Sequence, residues 1–140
     1  MKNVGYGKFS IILSICNFPE WWIDMGANVH ICADFSMFSS YQATRTPSVL
    51  MGNGSHASVR GVGTVDLKFT LGKIVRLKNV HHVPSINKNL VSGSLLCRDG
   101  YKIAFESNKF VVSKFGTFVG KGYECRGLFR LSLSDVRKKL

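Results

Sequence analysis

The sequence predicts an all-β domain, and three observations carry that expectation. Residues 57 to 69 alternate apolar and polar with period two, as a half-buried strand does. Fourteen glycines stand against three prolines, a balance suited to many tight turns. Beyond residue 51, turn signals recur every 8 to 12 residues between short apolar segments. At 140 residues the chain is one domain, long enough to bury a core without disulfide staples. With 45% apolar and 19% charged residues the composition argues for a folded globule and against a disordered chain.

The elements follow in order. "WWI" at 21 to 23 reads as an apolar strand that runs into Asp24, then into a small-residue turn at Gly26-Ala27. "MGNGS" at 51 to 55 supplies a hairpin turn out of "SVL". From Ala57 to Phe69 the odd positions (Val59, Gly61, Gly63, Val65, Leu67) form the inner side. Val62 is the one lapse on the polar side, and the two glycines permit a bend. "LGK" at 71 to 73 turns the chain into "IVRLKNVHHV", and "PSINKN" ends that strand. "SGSLLCRDG" is the one short helix, near residues 92 to 99, with serines to cap it and Gly100 to stop it. "YKIAF", "KFVVSK", "TFVGKG" and "GLFRLSL" complete the strands. The expected core is Trp22, Val65, Leu67, Phe69, Leu95, Ile103, Phe105 and Leu131.

The formal charge of +11 is uneven: residues 1 to 70 hold five basic and four acidic side chains, residues 71 to 140 fourteen and four. The basic residues are spaced singly along the strands, and only Arg137-Lys138-Lys139 is a run. That spacing reads as a solvated outer face, so a nucleic-acid partner is not expected. Most aromatic residues also sit at core-type strand positions rather than where bases would stack. Cys16, Cys32, Cys97 and Cys125 show no paired spacing, and His30-Ile31-Cys32 with His81-His82 is the nearest approach to a ligand set. No metal and no cofactor is therefore expected, and free thiols point to a reducing, cytoplasmic setting. "KFSIILSICNF" is too short for a membrane span and lacks a small-x-small cleavage site.

The informative residue is Asp24, with Trp21, Trp22 and Ile23 before it and Met25 after it. A lone carboxylate buried in such a run would cost several kcal/mol or lose its charge. Gly26 allows backbone N–H groups to close on it and favour the ionised form. That layout serves a catalytic aspartate on a rigid loop, and equally a strand-end aspartate that caps a turn.

"WWIDMGANVHICADFSMFSSY" resembles the start of the protease region in Pol polyproteins of copia-type retrotransposons, where the pattern is Trp-x-x-Asp-Ser-Gly-Ala. "VLMGNGSHASVRGVGTVDLKF" is similar to the next hairpin of that family. "LKNVHHVPSINKNLVSGSLLCRDGYKIAFES" is similar to its valine-proline, Asn-Leu and leucine-rich helix signature, and "GLFRLSL" to its closing segment. The likeness covers about residues 19 to 133, leaving 1–18 unplaced and 134–140 as a basic tail. It implies a small retropepsin-like acid-protease barrel acting as an aspartic endopeptidase on a Gag-Pol polyprotein. Such chains carry one catalytic motif and act as homodimers. By the same resemblance Asp24 is the catalytic acid, and Met25, Gly26 and Ala27 form its loop. Gly61, Val62 and Gly63 are a candidate flap, and "NLVSG" runs beside the Asp24 loop. The departure is Met25, where the family has Ser or Thr whose hydroxyl bonds backbone across the dimer. A thioether is only a weak acceptor. The alternative is a non-catalytic β-barrel relic, at most an interaction module. With no integrase or reverse-transcriptase sequence present, a truncated copy of an element is the expectation.

Overall fold

The computed structural model describes residues 20–44, 49–50, 54 and 56–134. The segment 1–18, Cys16, most of the 51–55 turn and the Arg137-Lys138-Lys139 run lie outside the described residues. In chain order the strands are β1 (Trp21–Asp24), β2 (Ile31–Cys32), β3 (Phe38–Ala43), β4 (Val49–Leu50), β5 (His56–Ala57) and β6 (Gly61–Lys68). Then follow β7 (Ile74–His82), β8 (Asn89–Ser92), helix α1 (Gly93–Arg98), β9 (Tyr101–Glu106), β10 (Lys109–Lys114), β11 (Thr117–Cys125) and β12 (Leu128–Leu131). Ten strands make one sheet in the order β3-β6-β7-β2-β8-β1-β12-β11-β10-β9, while β4 and β5 pair with each other. The domain is all-β with one short α-helix among the described residues.

The period-two pattern works as expected along β6, where Val65, Leu67 and, just beyond the strand, Phe69 are at most 2% exposed. The ladder to β7 shifts register between Gly63 and Val65, so the strand bends beside that glycine. The sheet then curls until its far parts touch. Lys73 N donates to Val119 O at 2.9 Å, Thr70 N to Ser132 O at 2.9 Å, and Phe69 bridges to Leu133. Gly120 lets this happen: a Cβ there would lie 2.0 Å from the Phe69 ring.

Consecutive tryptophans on β1 point to opposite faces, and both are fully buried. Trp21 joins the main core with Val65, Leu77, Phe110 and Val112. Trp22 joins a second cluster with Ile31, Val59, Val83 and Leu90. A strand covered on both faces is read as an unbroken apolar run, which is what "WWI" is. From β9 to β12 the chain is a meander of tight hairpins. Phe115-Gly116 and Arg126-Gly127 each take two positive φ values (51° and 79°, 55° and 86°), as two-residue turns between twisted strands require.

Three core expectations are corrected. Phe105 is 44% exposed, because β9 is the edge strand and its ring lies at the rim against Phe129. Leu95 and Ile103 are half-buried, and Leu96 is the helix residue that enters the core. Helix α1 is shorter than 92 to 99, because Ser92 remains in β8 and serves as the N-cap.

Candidate functional site

β1 lies between β8 and β12, and it delivers Asp24 to the end of the sheet. It runs parallel to β8, with Trp21 opposite Asn89, Ile23 opposite Val91 and Asp24 opposite Ser92. There the chain turns, with Ala27 N donating to Asp24 O at 3.4 Å. Asp24 is half-exposed while Trp22 behind it is fully buried, so the turn releases the carboxylate from the apolar run. Gly26 N donates to Asp24 Oδ1 at 2.8 Å, which holds one of the two carboxylate oxygens.

The loop is fixed from below by the junction of β8 and α1. Ser92 Oγ donates to Ala27 O at 2.6 Å and accepts from Leu95 N at 3.2 Å, so one hydroxyl caps the helix and anchors the loop. Ser94 Oγ adds a second donor to Ala27 O at 3.3 Å. Ser92 N in turn donates to Nδ1 of His30 at 2.9 Å, so that nitrogen carries no proton. His30 is 2% exposed, and its burial lowers its pKa to about 4, with Asp99 opposing the shift and His81 adding to it. Its own carbonyl accepts from His81 N at 2.9 Å. Asn89 ties the two neighbouring segments, its Oδ1 accepting from Ala33 N at 2.9 Å and its Nδ2 donating to Glu20 O at 3.3 Å.

Met25 is 48% exposed, and its thioether lies over Gly93: a Cβ on residue 93 would meet Sδ at 2.1 Å. "NLVSG" thus runs directly beside the Asp24 loop, with its glycine beneath the residue that departs from the family pattern. Gly61, Val62 and Gly63 lie within β6, paired to β3 on one edge and β7 on the other. Packing accounts for glycine at both ends, since a Cβ on Gly61 would lie 2.2 Å from the Tyr41 ring and one on Gly63 1.9 Å from Ser40 O. The β4–β5 pair stands apart from the main sheet among the described residues.

A second polar cluster spans β6, where the Tyr41 ring of β3 passes over Gly61 towards β7. Tyr41 Oη is 2.8 Å from Nδ1 of His82, ringed by Phe35 and Phe38, and burial lowers the His82 pKa. Among the described residues no three His, Cys, Asp or Glu side chains come together as a metal would need. The sequence placed Asn89 beside the loop only as the first residue of "NLVSG", and it gave His30 no part in the site. The only signal was a polar residue in an otherwise apolar stretch.

The sequence profile of the Pol polyprotein β-barrel domain matches residues 21–101. The chain is 35% identical over 121 residues to the retrovirus-related Pol polyprotein from transposon TNT 1-94 of Nicotiana tabacum, covering 86% of this chain and 9% of that one. It is 34% identical over 102 residues to the corresponding polyprotein from transposon RE1 of Arabidopsis thaliana, covering 71% and 7%. It is 34% identical over 73 residues to a putative transposon Ty5-1 protein of Saccharomyces cerevisiae, covering 52% and 47%. The chain thus spans less than a tenth of the two plant polyproteins. No solved structure matches it.

Proposed function

The chain belongs to the Pol polyprotein β-barrel domain family, and from that premise we propose that it is one half of an aspartic endopeptidase acting on a Gag-Pol type polyprotein. The observation that carries this reading is the seating of Asp24. Its carboxylate is at the surface, one oxygen is held by Gly26 N–H, and its loop is bonded to the β8–α1 junction by Ser92 and Ser94. One carboxylate cannot both activate water and protonate a carbonyl oxygen. A second chain brings a second Asp24, and two carboxylates at close range share one proton. The ionised one draws a proton from water as it attacks the peptide carbonyl. The protonated one donates to the carbonyl oxygen, and the roles reverse as the amine leaves.

Met25 favours a second reading, a barrel that no longer cleaves. A serine hydroxyl could bond backbone across the dimer, whereas the thioether lies on Gly93 and offers only a weak acceptor. Each buried hydrogen bond lost is worth about 1 to 3 kcal/mol. The test is a peptide-library cleavage assay of the native chain beside Met25→Ser and Asp24→Asn. Met25→Ser should raise both dimer population and cleavage, with a maximum at acidic pH, and Asp24→Asn should abolish cleavage. A Met25→Ser chain that dimerises and cleaves nothing would establish the second reading.

A further inference from the structure

We infer that the outward face of the β9–β12 meander binds single-stranded nucleic acid. Residues opposite one another across strands share a face, so the register decides which side chains stand together. The inner face is fixed by Phe110 and Val112, both at most 1% exposed. The opposite face carries a row of Lys109, Tyr123 and Arg130 across three strands. Lys121, opposite Val111, stands in the next row. Lys102 and Phe118, both opposite Ser113, stand in the one beyond. Six residues scattered between positions 102 and 130 thereby become one patch of four cations around two rings.

The rings are available, since Tyr123 is 40% and Phe118 43% exposed. Lys121 Nζ lies 5.7 Å from the centre of the Tyr123 ring, so cation and ring point the same way. Two carboxylates temper the patch without neutralising it: Glu106 opposite Lys109, and Glu20, whose Oε2 is 3.4 Å from Arg130 Nη1. Lysine is depleted at the centres of protein interfaces, which argues against a protein partner. Exposed rings flanked by flexible cations suit a strand whose bases stack while its phosphates are neutralised, with little sequence preference. The chain's +11 charge would speed the encounter.

The test is fluorescence anisotropy of the full chain with a labelled oligouridine, the matching duplex and phosphatidylserine vesicles as competitors. If three or four phosphates are neutralised, affinity should fall with salt at a log–log slope of about −2 to −3. K109E/K121E should weaken binding about ten-fold or more. Tyr123→Ala should weaken it about five-fold or more while leaving the salt slope unchanged. The same charge change placed elsewhere, R60E/K78E on β7 and the approach to β6, should cost less than about two-fold. Thermal melts matching the native chain confirm that each variant is folded. The proposal falls if no oligouridine binding is seen, or if R60E/K78E weakens it as much as K109E/K121E. It also falls if Tyr123→Ala changes nothing, or if duplex or vesicles bind as well as the single strand.

Discussion

The centre of the sheet and its β9–β12 end are built by opposite means. Around β1 and β8 the pairing is parallel and distant in sequence, and the side-chain bond from Ser92 to Ala27 spans 65 residues. From β9 to β12 each strand pairs antiparallel with its neighbour in sequence through a tight turn. The first region depends on pairing between segments far apart in the chain, and it leaves Asp24 on a loop anchored by several bonds. The second is locally determined, and its outward face is open to solvent except at Cys125 and Leu128, which pack against the Trp22 cluster. A rigid loop suits chemistry that needs fixed geometry, whereas an open sheet face suits contact over an area.

The strongest way to break the first region is Trp22→Ala. It removes a fully buried ring from the second cluster and should cost about 3 to 5 kcal/mol, read as a fall in the urea midpoint. Lys109→Ala on the outer face of β10 should move that midpoint little, within about 0.5 kcal/mol. Equal losses for the two would mean the meander face is not free.

Acid should act on the first region through His30. The unfolded chain takes up a proton below about pH 6.5, and the folded chain only below about pH 4. The unfolded state therefore binds more protons in that window, so stability rises with pH from about 4 to about 6.5 and is lost in the opposite direction. The loss should be on the order of 3 kcal/mol or less, followed by urea melts across that range. His30→Gln should flatten the profile. An acid-acting enzyme would then meet a lower pH limit set by its own loop support.

Glycine positions sharpen the contrast further. Gly122→Ala would press a Cβ to 2.3 Å from Arg130 O and into the Phe110 ring, and should destabilise by about 1 to 3 kcal/mol. Gly93→Ala meets only the thioether of Met25, an exposed flexible side chain that can swing away, and should cost under about 1 kcal/mol. Between these lies Ser92→Ala, at about 1 to 2 kcal/mol, since it removes a helix cap and the bond to Ala27 together. Hydrogen exchange at Ala27 and Leu95 should rise in that variant while the β9–β12 amides stay protected.

The sequence by itself determined the all-β class, the β6–β7 hairpin, the short capped helix and the ending of β1 in an aspartate beside a small-residue turn. Period-two burial and turn chemistry are local properties, so they can be read along the chain. It also pointed to the family, through an order of motifs that the family match reproduces from residue 21 to 101. Only the tertiary structure decided which neighbours meet. Phe105 belongs to an inward-facing set by parity, yet β9 is an edge strand with no further strand beyond it among the described residues, and the ring is 44% exposed. His30 reads along the chain only as a neighbour of Cys32, until Ser92, 62 residues later, donates to it. Lysines that look evenly spread from 102 to 130 gather on one face once three hairpins set their register. Periodicity says which side of a strand a residue takes; only long-range pairing says what lies on that side.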